Sequence, residues 1–282
     1  MIVLNEESPR WLRELARFAG IKNLLFVCGN VHDLVSYPIQ ADGPEPVRWT
    51  ESELSGFFRR FLTGMGYEIV GWADPVDDLS FASPEMESLF ERVESGRDPF
   101  ASADEEKEGT QAPTSLPRAS GRPSSGPAPM RMEGPDWNRT IGRITSGMQN
   151  TRVPCAFVID MASRLASAPD RLAKEERLLF TRLLKASLSG REVIRDNARW
   201  NNLIVLICDK LNDLPTFLYM NNPRSRSITI EPPDREERGR FIKRYFRHFH
   251  GADSLDATTT PQAVVRDFVD LTEGLANYEM RS

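Results

Sequence analysis

The apolar residues of this chain come in five short runs, at 23–28, 67–72, 155–159, 203–208 and 227–230, rich in aliphatic and β-branched side chains. Runs apolar at consecutive positions suit strands covered on both faces, as in a parallel sheet. Between them lie stretches of helical period. Trp11, Leu12, Leu15, Phe18 and Ala19 share one face before the first run, and Leu54, Phe57, Phe58, Phe61 and Leu62 do so before the second. Trp137, Ile141 and Ile144 lead into the third, and Leu178, Leu179, Leu183 and Leu184 recur at helical spacing before the fourth, with charges opposite. The alternation predicts an α/β domain, a parallel five-stranded sheet sandwiched by helices, with its ligand crevice at the carboxyl ends of the strands.

One stretch does not belong to that pattern. Residues 95–134 turn to Pro, Gly, Ser and charge, too poor in apolar side chains to offset their ordering entropy, which predicts a disordered insert within one domain. The remainder of the 282 residues suffices for about one large core. No repeat of fixed period is visible. A net charge of −5 gives no reason to expect a nucleic-acid partner. The start of the chain carries Glu6 and Glu7 and no secretory pattern, and no apolar run approaches the roughly 20 residues of a membrane span, so a cytoplasmic place is expected. Cys28, Cys155 and Cys208 sit in or beside apolar runs and read as buried thiols. In that setting the glycosylation pattern Asn138-Arg139-Thr140 carries no meaning.

The strand ends hold the candidate chemistry. The first run leads into Gly29-Asn30-Val31-His32-Asp33. A phosphate-cradling loop needs glycines so that backbone N–H groups converge, a lysine for the β- and γ-phosphates and a hydroxyl for Mg²⁺. No G-x-x-x-x-G-K-[ST] match occurs anywhere in the chain. Gly29 and Asn30 suit a plain turn, while His32 or Asp33 could reach a ligand. The third run ends in Asp160, a carboxylate able to hold Mg²⁺ through water beside a nucleotide, or simply to cap a loop. Met161 follows, where hydrolysis would use a second carboxylate; a thioether neither takes a proton nor orients water. Asp209, after the fourth run, either approaches a phosphate through a metal or belongs to a solvated loop. Arg224 and Arg226, at the fifth, either reach a phosphate in a neighbouring subunit or remain solvated.

Other signals read as structural. Asp74, Asp77 and Asp78 lack the spacing of a Ca²⁺ loop and suit a solvated turn. His248 and His250, two apart, do not share a helix face and make a poor metal pair. Phe241, Tyr245 and Phe249 recur every four residues and are expected to bury a helix rather than bind nucleic acid.

From 153 to 280 the order of parts resembles the AAA+ ATPase family. Cys155-Ala156-Phe157-Val158-Ile159-Asp160 is similar to the family's Walker B strand. Residues 203–218 resemble its sensor-one strand and following loop, with Asp209 replacing the usual neutral polar residue. The stretch from Arg224 to Arg238 is similar to the one in which an arginine precedes the last strand and a proline-acid-arginine run opens a helical lid. Residues 270–280 look like the lid turn at which a helix ends in glycine. The first half resembles the family only in layout.

The resemblance implies a P-loop NTPase fold divided as 1–94 and 135–232 around the insert 95–134, with a partial lid at 233–282. It also implies an N-terminal part of a larger protein, because the chain stops where a later lid helix would bring a second sensor arginine. The expected function is a degenerate AAA+-like domain, non-hydrolysing by itself, acting as a structural or regulatory module of an oligomeric ATPase. ATP and Mg²⁺ binding would be weak or absent, and partners would be further copies or a second AAA+ domain in a ring. One alternative is an ATPase whose activity appears in the full-length protein, using Asp160 and an unconventional Gly29-to-Asp33 loop. Another is a Rossmann-like module for some other small ligand or protein.

Overall fold

A computed structural model describes residues 1–41, 47–100, 135–195, 197–249 and 261–281. Of the expected insert, 101–134 lie outside the described residues, as does His250. The chain begins with α1 (Arg10–Ala19), β1 (Leu24–Gly29), a hairpin of β2 (Val35–Gln40) and β3 (Val47–Ser52), α2 (Leu54–Gly64), β4 (Ile69–Ala73) and a two-residue β5 (Ser80–Phe81). It continues through α3 (Pro84–Glu94), α4 (Trp137–Gln149), β6 (Cys155–Ile159) and α5 (Lys174–Ser189). A second hairpin, β7 (Glu192–Arg195) and β8 (Ala198–Asn201), precedes β9 (Leu203–Ile207) and β10 (Ser225–Ile230). Three helices follow in the stretch expected to form a lid, α6 (Arg235–Tyr245), α7 (Pro261–Leu271) and α8 (Asn277–Arg281).

The main sheet runs β10-β1-β9-β6-β4-β5. Its first five strands are parallel, as the apolar runs predict, and β5 adds an antiparallel edge. The chain leaves β1 for distant β4, returns through β6 to β9 and then passes to β10 on the far side of β1. The order therefore reverses around β1, which puts the crevice at the carboxyl ends of β1 and its neighbours.

Burial on both faces explains the consecutive apolar residues. Leu24, Phe26 and Cys28 of β1 join a core roofed by α4 and α5, whereas Leu25 and Val27 join another with α1 and α2. Each fully buried side chain of this size contributes about 1.5–3 kcal/mol of transfer free energy. Helix α4 approaches β6 closely because Gly147 has no side chain; a Cβ there would strike the Phe157 ring. In α5 the buried face is Leu179, Phe180, Leu183 and Ala186, and Leu178, expected on that face, is exposed instead.

The polar starts of the helices follow capping chemistry. Asp136 accepts hydrogen bonds from the Asn138 and Arg139 N–H groups at α4, and Ser83 accepts one from Met86 N–H at α3, with Pro84 in the first turn. At α6, Asp234 and Glu237 exchange bonds as a capping box. The lid has its own core of Phe241, Ile242, Val265, Val269 and Met280, and Leu34, from the loop after β1, is buried in it. Among the described residues, no helix is long and apolar enough to cross a membrane.

Candidate functional site

At the carboxyl end of β1, Gly29 turns the chain with φ +98°, and a Cβ there would collide with the Ile230 carbonyl oxygen. The first three backbone donors of this turn are spent within the protein. Gly29 N–H bonds the Asp209 carbonyl at 3.1 Å, Asn30 N–H the Ile230 carbonyl at 2.8 Å and Val31 N–H the Gly29 carbonyl at 2.8 Å. Amides committed to carbonyls do not converge on an anion, which is what a phosphate cradle requires.

The Asp33 carboxylate is likewise occupied. One oxygen accepts from Asn30 Nδ2 at 2.9 Å and from Asn277 N–H at 2.8 Å, and the other from Tyr278 N–H at 2.9 Å. Asn277 and Tyr278 open α8, so a buried carboxylate (4% exposed) sits on the leading amides of a lid helix. Asn277 Nδ2 also donates to the Leu34 carbonyl at 2.7 Å, beside the point where Leu34 enters the lid core. The loop read from sequence as a plain turn or a degenerate nucleotide site thus latches the lid to the sheet.

Next to it lies an ionic group. His32 Nε2 is 2.8 Å from Asp209 Oδ1, and Arg164 is 3.2 Å from the other Asp209 oxygen. Asp209 N–H donates to Ser163 Oγ at 2.8 Å, and that hydroxyl donates to Asp213 at 2.8 Å. Asp160 stands nearby without an ion-pair partner among the described residues; its Oδ1 accepts only from Met161 N–H, at 2.7 Å. Burial pushes the Asp160 carboxyl above its ordinary range, against the opposing effects of that hydrogen bond and of His32, with the Asp74 and Asp209 charges adding a smaller upward push. Met161 has left-handed backbone at φ 49° and is exposed, so no second carboxylate adjoins Asp160 along the chain.

The structure therefore brings Gly29, Asn30, His32, Asp33, Asp160 and Asp209 to one edge of the sheet, but Arg224 elsewhere. Arg224 precedes β10, at the amino edge, and donates to Asn23 Oδ1 and the Gly190 carbonyl, both at 3.0 Å. The Arg226 guanidinium lies over the Phe18 ring, 4.8 Å from its centroid. Asp74 makes a local turn by accepting from Val76 and Asp77 N–H, while Asp78 also accepts from Thr140 Oγ1 at 2.6 Å and holds α4. Phe241 is buried in the lid, with Tyr245 and Phe249 packed against its core. Sequence reasoning missed Arg164, Ser163, Asn277 and Tyr278. Arg164, four residues past Asp160, gave a weak positional hint, Asn277 and Tyr278 were read only as part of the lid turn, and Ser163 gave none.

Comparison with known proteins agrees with this architecture. Residues 5–231 match the family model described as AAA+ chaperone, N-terminal Rossmann-like domain. No curated protein matches the chain. Among solved structures it is similar to the FIGL-1 AAA domain in complex with ADP, at 16% identity and TM-score 0.34 over 51% of this chain and 42% of that one. It is also similar to a chain of the E. coli MS115-1 HORMA:CdnC:Trip13 complex, at 11% identity and TM-score 0.38 over 89% of this chain and 59% of that one. The chain thus spans about half the length of either solved relative, and both likenesses are too distant to carry an argument about chemistry. The family match covers most of the sequence, including the parallel sheet and both the Gly29 and Asp160 strand ends: the chain belongs to the AAA+ chaperone N-terminal Rossmann-like domain family.

Proposed function

We propose that this AAA+ domain is a structural or regulatory module of an oligomeric ATPase in the cytoplasm and does not hydrolyse ATP by itself. The observation that carries the reading is the latch: the turn after β1 commits the Gly29, Asn30 and Val31 amides to carbonyls and the Asp33 carboxylate to the lid. A triphosphate does not fit residues so engaged. Asp160 can offer Mg²⁺ one carboxylate, but no P-loop lysine and hydroxyl follow β1 and Met161 stands where the second acid of phosphoryl transfer would follow Asp160. Catalysis would then come from other copies or from a second AAA+ domain, and this domain would contribute shape. Arg224 and Arg226 lie away from Asp160, so any contact of theirs with a nucleotide would be to one held by a neighbouring subunit.

The test is phosphate release from ATP and Mg²⁺ by the purified chain, beside the same chain carrying Asp160→Ala. Equal rates at the uncatalysed background support an inert module. A wild-type rate typical of AAA+ ATPases, abolished by Asp160→Ala, would overturn it.

A further inference from the structure

Strand β10 is an edge of the main sheet, hydrogen-bonded only to β1 among the described residues. Leu24 N–H bonds the Arg224 carbonyl and Asn30 N–H the Ile230 carbonyl, so the even-numbered residues of β10 turn towards β1. In a parallel ladder the intervening residues then point their N–H and C=O groups the other way. Those residues are Ser225, Ser227, Thr229 and, just past the strand, Glu231, and the last three line one groove of about 410 Å³ between α1 and the start of α6. An open strand edge is a template for another strand.

The groove is also electrically one-sided. Its arginines are engaged, Arg10 with Glu14 at 3.0 Å and Arg226 over Phe18. Its acids Glu231, Asp234 and Glu237 have no ion-pair partner among the described residues, and they gather at the end where α6 begins. Burial raises the Glu237 carboxyl above its ordinary range, with the Asp234 and Glu231 charges adding to it and the Asp234 N–H bond and the Arg240 charge opposing it.

We propose that β10 accepts an extended, basic peptide segment of a partner protein, pairing with Ser227, Thr229 and Glu231 and placing a lysine or arginine against Glu231 and Glu237. The edge is recessed between the flank of α1 at Trp11 and the turn at Pro232, which admits a single strand more readily than a second folded copy. The proposal is independent of whether the domain hydrolyses ATP.

The experiment uses the whole chain and two capped heptapeptides, one alternating valine with lysine and the other alternating valine with glutamate. Expected is binding of the lysine peptide, about tenfold or more tighter than the glutamate peptide, with NMR shifts centred on the Ser227, Thr229 and Glu231 amides. Thr229→Pro removes an outward N–H and spares those that bond β1, and should weaken binding about tenfold. Should that variant not fold, Glu231→Lys, at an exposed position, should abolish the preference for lysine. No lysine-peptide binding at millimolar concentration, equal binding of both peptides, or shifts centred elsewhere would overturn the proposal. So would sedimentation showing that the free chain pairs with itself through this edge.

Discussion

The two edges of the main sheet are built on opposite plans. At the amino edge buried amides do the joining: Asn202 is fully buried, its Oδ1 accepts from Cys155 N–H at 2.9 Å, and its Nδ2 donates to the Met148 and Asn150 carbonyls at 3.2 and 2.7 Å. Asn23 Nδ2 donates to the Asn202 carbonyl at 2.8 Å, and Arg224 ties Asn23 to Gly190. The carboxyl edge is instead a set of charges, with His32 and Arg164 on Asp209 and none on Asp160. The amino edge joins its strands through buried amides and keeps its charges in the Arg195–Glu68 pair, Lys22 and Arg224; the other edge holds a carboxylate with no ion-pair partner among the described residues, beside a left-handed methionine. The difference separates residues that hold the sheet together from residues free to serve another purpose, and Asp33 shows one such purpose, fastening the lid.

Substitutions at each edge can break this contrast. The largest expected effect is Asn202→Ala, which takes the side-chain partner from the Cys155 N–H and the Asn150 carbonyl, while the Met148 carbonyl keeps Arg191 N–H, and should cost about 3 kcal/mol in urea denaturation. A cost as small as that of a surface substitution would show that the amino edge is not the fastening it looks like. Asp33→Ala comes next, at about 2 kcal/mol, felt locally rather than globally. Its signature is faster amide exchange at Asn277 and Tyr278 by about tenfold or more, with the strand amides little changed. Unchanged exchange would mean that Leu34 alone holds the lid.

The smallest effect has the opposite sign. Asp160 has a raised carboxyl in the folded chain, so between the ordinary carboxylate range and that raised value the native state binds more protons than the unfolded state. Stability therefore falls as pH rises through that window, and the cost is fully present above it. Asp160→Asn removes the charge and keeps an oxygen for Met161 N–H, and should raise Tm by about 2 °C at neutral pH. The gain should vanish in acid, below the ordinary carboxylate range. A fall in Tm at neutral pH would mean that the charge has a stabilising partner.

The sheet was legible because its strands are covered on both sides, which leaves consecutive apolar residues that nothing else explains. The hairpins were not: β3 is half-exposed along most of its length, β2 contains Pro38, and β7 and β8 have four residues each. Helix α3 was missed for a related reason, since only Phe90 of it is buried and the remaining pattern is faint. In α5, Leu178 fits the spacing of its leucines yet faces outward, because Phe180 and Ala186 share the covered side with Leu179 and Leu183. At the site, Asp160 could be placed from sequence because it ends an apolar run. The engagement of Asp33 with the lid could not, since its partners there are 244 and 245 positions away and are backbone amides, which carry no residue signature.

The most direct measurement is amide exchange at Asn277 and Tyr278 in the purified chain, with and without excess ATP and Mg²⁺. If the lid is held by Asp33 and the loop gives no purchase to a triphosphate, both amides keep the same protection and calorimetry detects no binding. Nucleotide binding that changes their protection and releases phosphate would contradict the latch and, with it, the reading of this domain as inert.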